Sequence, residues 1–239
     1  MVIIKKPLTF KALKTLCFIV VSLLVTSSCS KEKPEEEEEI VYYDYFFDGK
    51  KIEAKVHNAS KFKNIVEVVI LLYDGINKRL IARGGIWNDD GFTILLPETV
   101  NQNFLVPILQ SRISPYFFGY PPCPEVTFSN LDVNVFDLWD ISGVDKDGIV
   151  LAHFSPRGYR SLPFYTYVDS DVNIYGTLRR TSWIDSYSVQ WKKGWNFTWH
   201  PSYGTSHPKI DISEYITMYD SIKMIWIGEK SQFYININE

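Results

Sequence analysis

Cysteine is almost absent. Three occur in 239 residues, Cys17, Cys29 and Cys123. No even set at disulfide spacing exists, so packing rather than cross-linking must hold the fold. Cys123, in YPPCPE, has no cysteine or histidine neighbour in sequence and reads as a loop thiol rather than a nucleophile. A basic excess is also missing: 25 Lys and Arg face 28 Asp and Glu, a formal net charge of −3. That argues against a nucleic-acid partner, because a binder of phosphates carries a basic footprint. Beyond the first residues, no ten-residue stretch has apolar side chains at helical spacing. The chain has no G-x-S-x-G, no G-x-G-x-x-G, no P-loop, no H-E-x-x-H and no C-x-x-C. No reaction is legible, none is assigned, and no cofactor is expected.

Aromatic residues are plentiful at 15 %, with only 3 methionines. That composition favours strands over helices. Alternating or fully apolar runs bounded by Asp-Gly, Asn-Asp and Pro-rich breaks recur along the chain, as in KIEAKVH (51–57) and GFTILLP (91–97). The expected fold is therefore all-β, an antiparallel β-sandwich or a pair of them, with little or no helix outside the leader. The Pro- and Gly-rich SPYFFGYPPCPE (114–125) divides an N-terminal β region, 41–125, from a C-terminal one, 126–239, and the two are also compatible with one continuous domain.

Residues 1–28 read as a secretory leader: Lys5, Lys6, Lys11 and Lys14, then the apolar TLCFIVVSLLV, then small residues. The apolar run is too short to span a bilayer, which takes about 20 residues. Thr26, Ser27 and Ser28 followed by Cys29 resemble a bacterial lipobox. The resemblance implies cleavage before Cys29 and acylation of its thiol, an anchor in the outer membrane that does not span it. Thr26 stands where such sequences usually have Leu, which leaves ordinary cleavage to a soluble protein as the alternative. SKEKPEEEEE (30–39) repels itself and buries nothing, so residues 29–40 form a disordered tether. An acidic run soon after the acylated cysteine resembles the export signal of Bacteroidetes surface lipoproteins. That implies the cell surface, with the periplasmic face as the alternative.

Within the folded part, VYYDYFF (41–47) and KIEAKVH flank DGK, a hairpin-like turn signal. NIVEVVILLY (64–73) is apolar enough for a strand buried on both faces. Gly84-Gly85 suits a bulge, and Phe92, Ile94 and Leu96 share one face. A turn ending in Asp-Gly followed by Phe-x-Ile-x-Leu-Pro resembles transthyretin-like and carboxypeptidase-regulatory-like sandwiches over residues 45–110.

SVQWKKGWNFTWH (188–200) holds four large aromatics. With KKG as a three-residue hairpin loop, Trp191 faces Trp195, Val189 faces Phe197 and Tyr187 faces Trp199, all on one face. Gln190, Asn196, Ser188, Thr198, Ser186 and His200 fall on the other, in water. This describes a hairpin packed on a core, while Trp195 or Trp199 at a rim would be a platform for a sugar. YVDSDVNIYGT (167–177) followed by YSVQWKKGWNFTWH resembles the C-terminal half of a family of Bacteroidales lipoproteins. That family carries no assigned activity, so the resemblance implies an extracytoplasmic β fold and no site residues.

The remaining constellations are weak. His200 and His207 lack a third ligand, and His57 and His153 are isolated. Asp145 and Asp147 before Gly148 form a turn more readily than a calcium loop, which needs a closing Glu. Paired carboxylates of a glycosidase are defined by spacing in space and cannot be read from the sequence. Asp220-Ser221-Ile222 resembles an O-glycosylation sequon of exported Bacteroidetes proteins, implying modification at Ser221. The leading expectation is a surface-anchored, non-catalytic binding or accessory module for a glycan or an envelope protein. A structural or adhesive surface protein is the alternative, and a hydrolase with a spatially assembled site comes third. The anchor is directly testable: cells fed labelled palmitate incorporate it into the wild-type chain and not into Cys29→Ser, and label in the variant would remove Cys29 as the acylated residue.

Overall fold

The computed structural model describes residues 40–238 except 75–76, 89, 112–113, 115–124, 139–140, 159–161, 180–182, 205–210, 218–221 and 233–234. Cys29, Cys123, His207, Ser221 and Tyr116–Tyr120 lie outside the described residues. Regular structure among the described residues is strand, with three short 3₁₀ turns. The strands of the first half are β1 (Tyr43–Tyr45), β2 (Lys51–Lys55), β3 (Glu67–Asp74), β4 (Asn77–Asn88), β5 (Gly91–Leu95), β6 (Val106–Pro107), β7 (Val126–Phe128) and β8 (Asn134–Leu138). Those of the second are β9 (Ile141–Val144), β10 (Val150–Gly158), β11 (Phe164–Val168), β12 (Val172–Arg179), β13 (Trp183–Trp191), β14 (Gly194–Trp199), β15 (Ser202–Gly204), β16 (Asp211–Thr217) and β17 (Ile222–Lys230).

Two sheets form. Sheet I has the order β1-β17-β10-β9-β3-β4-β5-β2, and sheet II the order β6-β8-β11-β14-β16-β13-β12-β7, with β15 on β16. Pairing is antiparallel except between β13 and β16. Residues Ile40–Glu239 form one compact unit, and strands from both halves of the chain share sheet I.

Alternation explains the single strands. In β2, Ile52 and Ala54 are buried while Lys51, Glu53 and Lys55 point outward. Phe92, Ile94 and Leu96 do face one core. β3 is buried on both faces, as its apolar run predicts: Val68 and Ile70 enter the main core, Val69 and Leu71 a smaller one with Val144, Val150 and Ile235. The predicted bulge is present. Val68 pairs with Gly85 but Ile70 with Ala82. Gly84 takes φ of 85°, a conformation that glycine adopts without a Cβ penalty. Its N–H and the Arg83 guanidinium both donate to the Glu67 carboxylate. The bend lets β4 pair with β3 early and with β5 at Ile86–Asn88.

Two predicted hairpins are corrected. The DGK turn is present, with Asp48 accepting from the backbone N–H groups of Lys50 and Lys51. Yet β1 pairs with β17 and β2 with β5, at opposite ends of sheet I. The sheet curls until Val56, just past β2, bridges Trp226 of β17.

The KKG loop is also present. Gly194 has φ of 104°. Asn196 folds its amide back to accept from Lys192 N–H and donate to the Lys192 and Gly194 carbonyls. But β13 and β14 diverge from it, and β16 enters between them, pairing with both. The supposed single apolar face is therefore split. Tyr187, Val189 and Trp191 pack in one core, and Trp195 and Phe197 in another, with Trp199 packed against them.

Sheet II is the partition between these cores. Phe136, Tyr165, Tyr167, Trp195 and Phe197 face sheet I. Val135, Phe164 and Val168 face the opposite way, toward Val172, Ile174, Val189 and Trp191. Strands from both ends of the order meet in that second core, so sheet II curls into a nearly closed, barrel-like sheet. Asn196 and Thr198 are consequently buried, not in water. Thr198 takes a hydrogen bond from the Trp191 indole N–H at 3.0 Å. Asp137 accepts from Ser111 and Thr166, as buried polar groups require.

Phe154 is 1 % exposed and touches the rings of Phe62, Trp87 and Phe92. Phe154→Ala is expected to cost about 3–5 kcal/mol in urea unfolding, and a loss under about 1 kcal/mol would show that the main core does not depend on it.

Candidate functional site

Closure of sheet I leaves a seam between the first turn of the chain and the β2–β5 edge. A groove of about 660 Å³ follows it, bordered by Asp44, Tyr45, Phe46 and Asp48 on one side and by β2, Asp90 and Thr93 on the other. In YDYFF, Tyr45 and Phe47 turn toward the core, where their rings meet Tyr165 and Phe197. Phe46 must then point outward, and it is 63 % exposed.

The rim is polar and internally paired. Asp44 meets Lys223 at 2.9 Å, Lys51 meets Glu53 at 2.5 Å, and Lys55 pairs with Asp90. Exposed pairs of this kind add little stability, but they hold charged oxygens and ammonium groups around the aromatic ring. The Lys50 backbone N–H holds the Asp48 carboxyl below its ordinary value. That carboxylate stays ionised at neutral pH and cannot serve as a general acid.

Beneath the groove, Tyr165 donates a hydrogen bond to Tyr45 at 2.7 Å. Burial pushes both phenols well above their ordinary value. The pair anchors the groove floor to sheet II.

The aromatic platform candidates lie elsewhere. Trp195 is 9 % exposed, its N–H donates to the Pro97 carbonyl at 2.8 Å, and Phe136 and Tyr167 sit edge-on to it. It has no open ring face for a sugar, because β14 is buried on both sides. Trp199 is half-buried against the same core.

Asp145 accepts from the N–H groups of Asp147 and Ile149, a turn joining β9 to β10. Among the described residues, no three His, Cys, Asp or Glu side chains converge as metal ligands. His153 bridges the Ser142 and Ser231 hydroxyls at 3.2 Å each, away from the groove. Sequence reasoning missed Phe46, although period-two alternation through YDYFF places it opposite Tyr45 and Phe47. No family model matches the chain, and no curated protein or solved structure matches it either.

The buried phenols carry a pH signature. The folded state keeps protons that the unfolded chain releases above about pH 10, so stability falls as pH rises beyond that point. The double variant Tyr45→Phe, Tyr165→Phe is expected to show a shallower alkaline decline in urea midpoint than the wild type. An identical slope would mean that these phenols titrate normally.

Proposed function

We propose that this chain is a non-catalytic binding module, held at the cell surface through acylated Cys29 and the acidic tether, whose seam groove takes a neutral glycan. The observation that carries the reading is Phe46, an exposed aromatic ring on the wall of the seam groove, among carboxylates and ammonium groups. A pyranose offers an apolar face to such a ring and hydroxyls to the polar rim. Four carboxylates against two lysines among the groove residues disfavour an acidic polysaccharide. The leader, the lipobox-like cysteine and the run Glu35–Glu39 support the location, with the periplasmic face as the alternative.

The adhesive alternative needs open edges for strand addition. The end strands β1, β2, β6 and β7 have 3, 5, 2 and 3 residues, and β2 carries Lys, Glu and Lys outward. Short, charged edges are how a sheet resists added strands.

Titrating the purified full chain with neutral and acidic polysaccharides tests the proposal. A neutral polymer is expected to bind saturably, and Phe46→Ala to weaken it about tenfold, for a stacking contribution on the order of 1.4 kcal/mol, with circular dichroism unchanged. Binding unaffected by Phe46→Ala, or no binding by any neutral polymer, would overturn the groove as the site.

A further inference from the structure

The seam that holds Phe46 continues past the groove. A second recess of about 270 Å³ adjoins it, lined by Tyr43, Lys55, His57, Ser60, Asp90 and Ile225. Lys55 and Asp90, which pair with each other, border both spaces. The two are therefore neighbouring sections of one seam, and that ion pair stands at their junction.

Strand pairing explains why the seam continues. Met224 and Trp226 of β17 are both paired with β10 on one side. On the other side Met224 takes Tyr43 of β1, and Trp226 takes Val56 from just past β2. One edge of β17 thus serves two segments in turn. β1 must leave that edge before Val56 arrives, and the recess opens where they part.

The recess differs from the groove in its chemistry. Tyr43 is 44 % exposed, and its ring meets no other aromatic ring among the described residues. The Tyr43 hydroxyl, the Ser60 hydroxyl and the His57 imidazole make no hydrogen bond to the described residues. The charged groups of the groove, by contrast, are largely paired with one another or with Lys223. A ring bordered by uncommitted hydroxyl and imidazole groups presents an apolar body and polar contacts together, the combination a sugar face and its hydroxyls require. Tyr43 and Phe46 lie three residues apart, about 10 Å of extended chain. A single pyranose does not reach both, whereas a chain of linked pyranoses does.

We propose that the seam binds a linear neutral oligosaccharide along its length, with one sugar at Phe46, another at Tyr43, and the chain between them crossing the Lys55–Asp90 pair. This rests on the groove reading above and adds a second ring site to it. Two contacts joined by a covalent linkage reinforce each other, because the second forms without a new loss of translational freedom. Affinity therefore depends on chain length.

The test is calorimetric titration of the full chain with size-fractionated oligomers of starch, mannan and β-glucan, from disaccharide to octasaccharide, beside the parent polymers. In a series that binds, affinity is expected to rise at least tenfold between disaccharide and hexasaccharide and then to level off. Tyr43→Thr removes the ring, and its β-branched replacement suits the strand β1. That variant is expected to abolish the rise, so that hexasaccharide binds no tighter than disaccharide, while Phe46→Ala weakens every length. Equal affinity for disaccharide and hexasaccharide on the wild type, or a rise that survives Tyr43→Thr, would overturn the second ring site and leave the Phe46 groove standing. No binding by any oligomer or parent polymer would overturn the groove reading, and this proposal with it. Should Tyr43→Thr fail to fold, Ser60→Ala takes its place: a several-fold loss for the hexasaccharide is expected, and an unchanged rise would overturn the recess as a site.

Discussion

One connected set of aromatic rings ties this molecule together. Phe62 meets Phe154, Phe154 meets Phe92, Phe92 meets Trp226, Trp226 stacks on Tyr165, and Tyr165 meets Phe197. The first four belong to sheet I or the turn beside it and the last two to sheet II. With no disulfide framework to close the fold, ring contacts of this kind join the two sheets through the main core. Large flat rings suit the task, since each buries much area and adds a directional edge or face contact. Trp226 is the hinge of the set. Its ring joins the two sheets, and its backbone is the point where Val56 brings the curl of sheet I round. The seam groove borders Phe92 of this set, because a curled sheet closes imperfectly at its seam.

Sheet II has a harder task than an ordinary sandwich layer. Its strands β8, β11 and β14 are buried on both faces, so their polar residues have no water to turn to. The structure answers with side-chain pairs: Asp137 with Ser111 and Thr166, Thr198 with Trp191, and Asn196 with the loop that precedes it. Each pair satisfies a group that would otherwise destabilise the interior. Against that background the unmatched Trp226 N–H stands apart.

The proposed function joins a location argued from the leader to a surface argued from the fold. In that proposal the run Glu35–Glu39 serves as a tether, and the groove presents one exposed aromatic ring within a charged rim. Its end strands are short, which disfavours strand addition and is why the proposal rests on side chains.

Local pattern was legible throughout. Alternation in KIEAK and GFTIL, the two-sided apolar run of β3, the Gly84 bulge, and the DGK, DKDG and KKG turns all stand where the residues indicate, because each depends on neighbours within a few positions. The all-β class follows from the same signals. Pairing was not legible. Nothing in VYYDYFF says that its partner is β17, some 180 residues away, rather than β2, and nothing in SVQWKKGWNFTWH announces that β16 will separate the arms of its loop. Strand partners are chosen by the free energy of the whole assembled sheet, and a turn is compatible with a hairpin or with a crossing. The same reason hid the candidate sites. Trp195 was expected on the core face of its strand with Asn196 and Thr198 in water on the other, whereas tertiary packing buried both faces. The seam beside Phe46 exists only once distant strands meet. The sequence by itself determined which residues extend, bend and turn. Only the tertiary structure decided which faces meet, and therefore which aromatic rings remain open to a ligand.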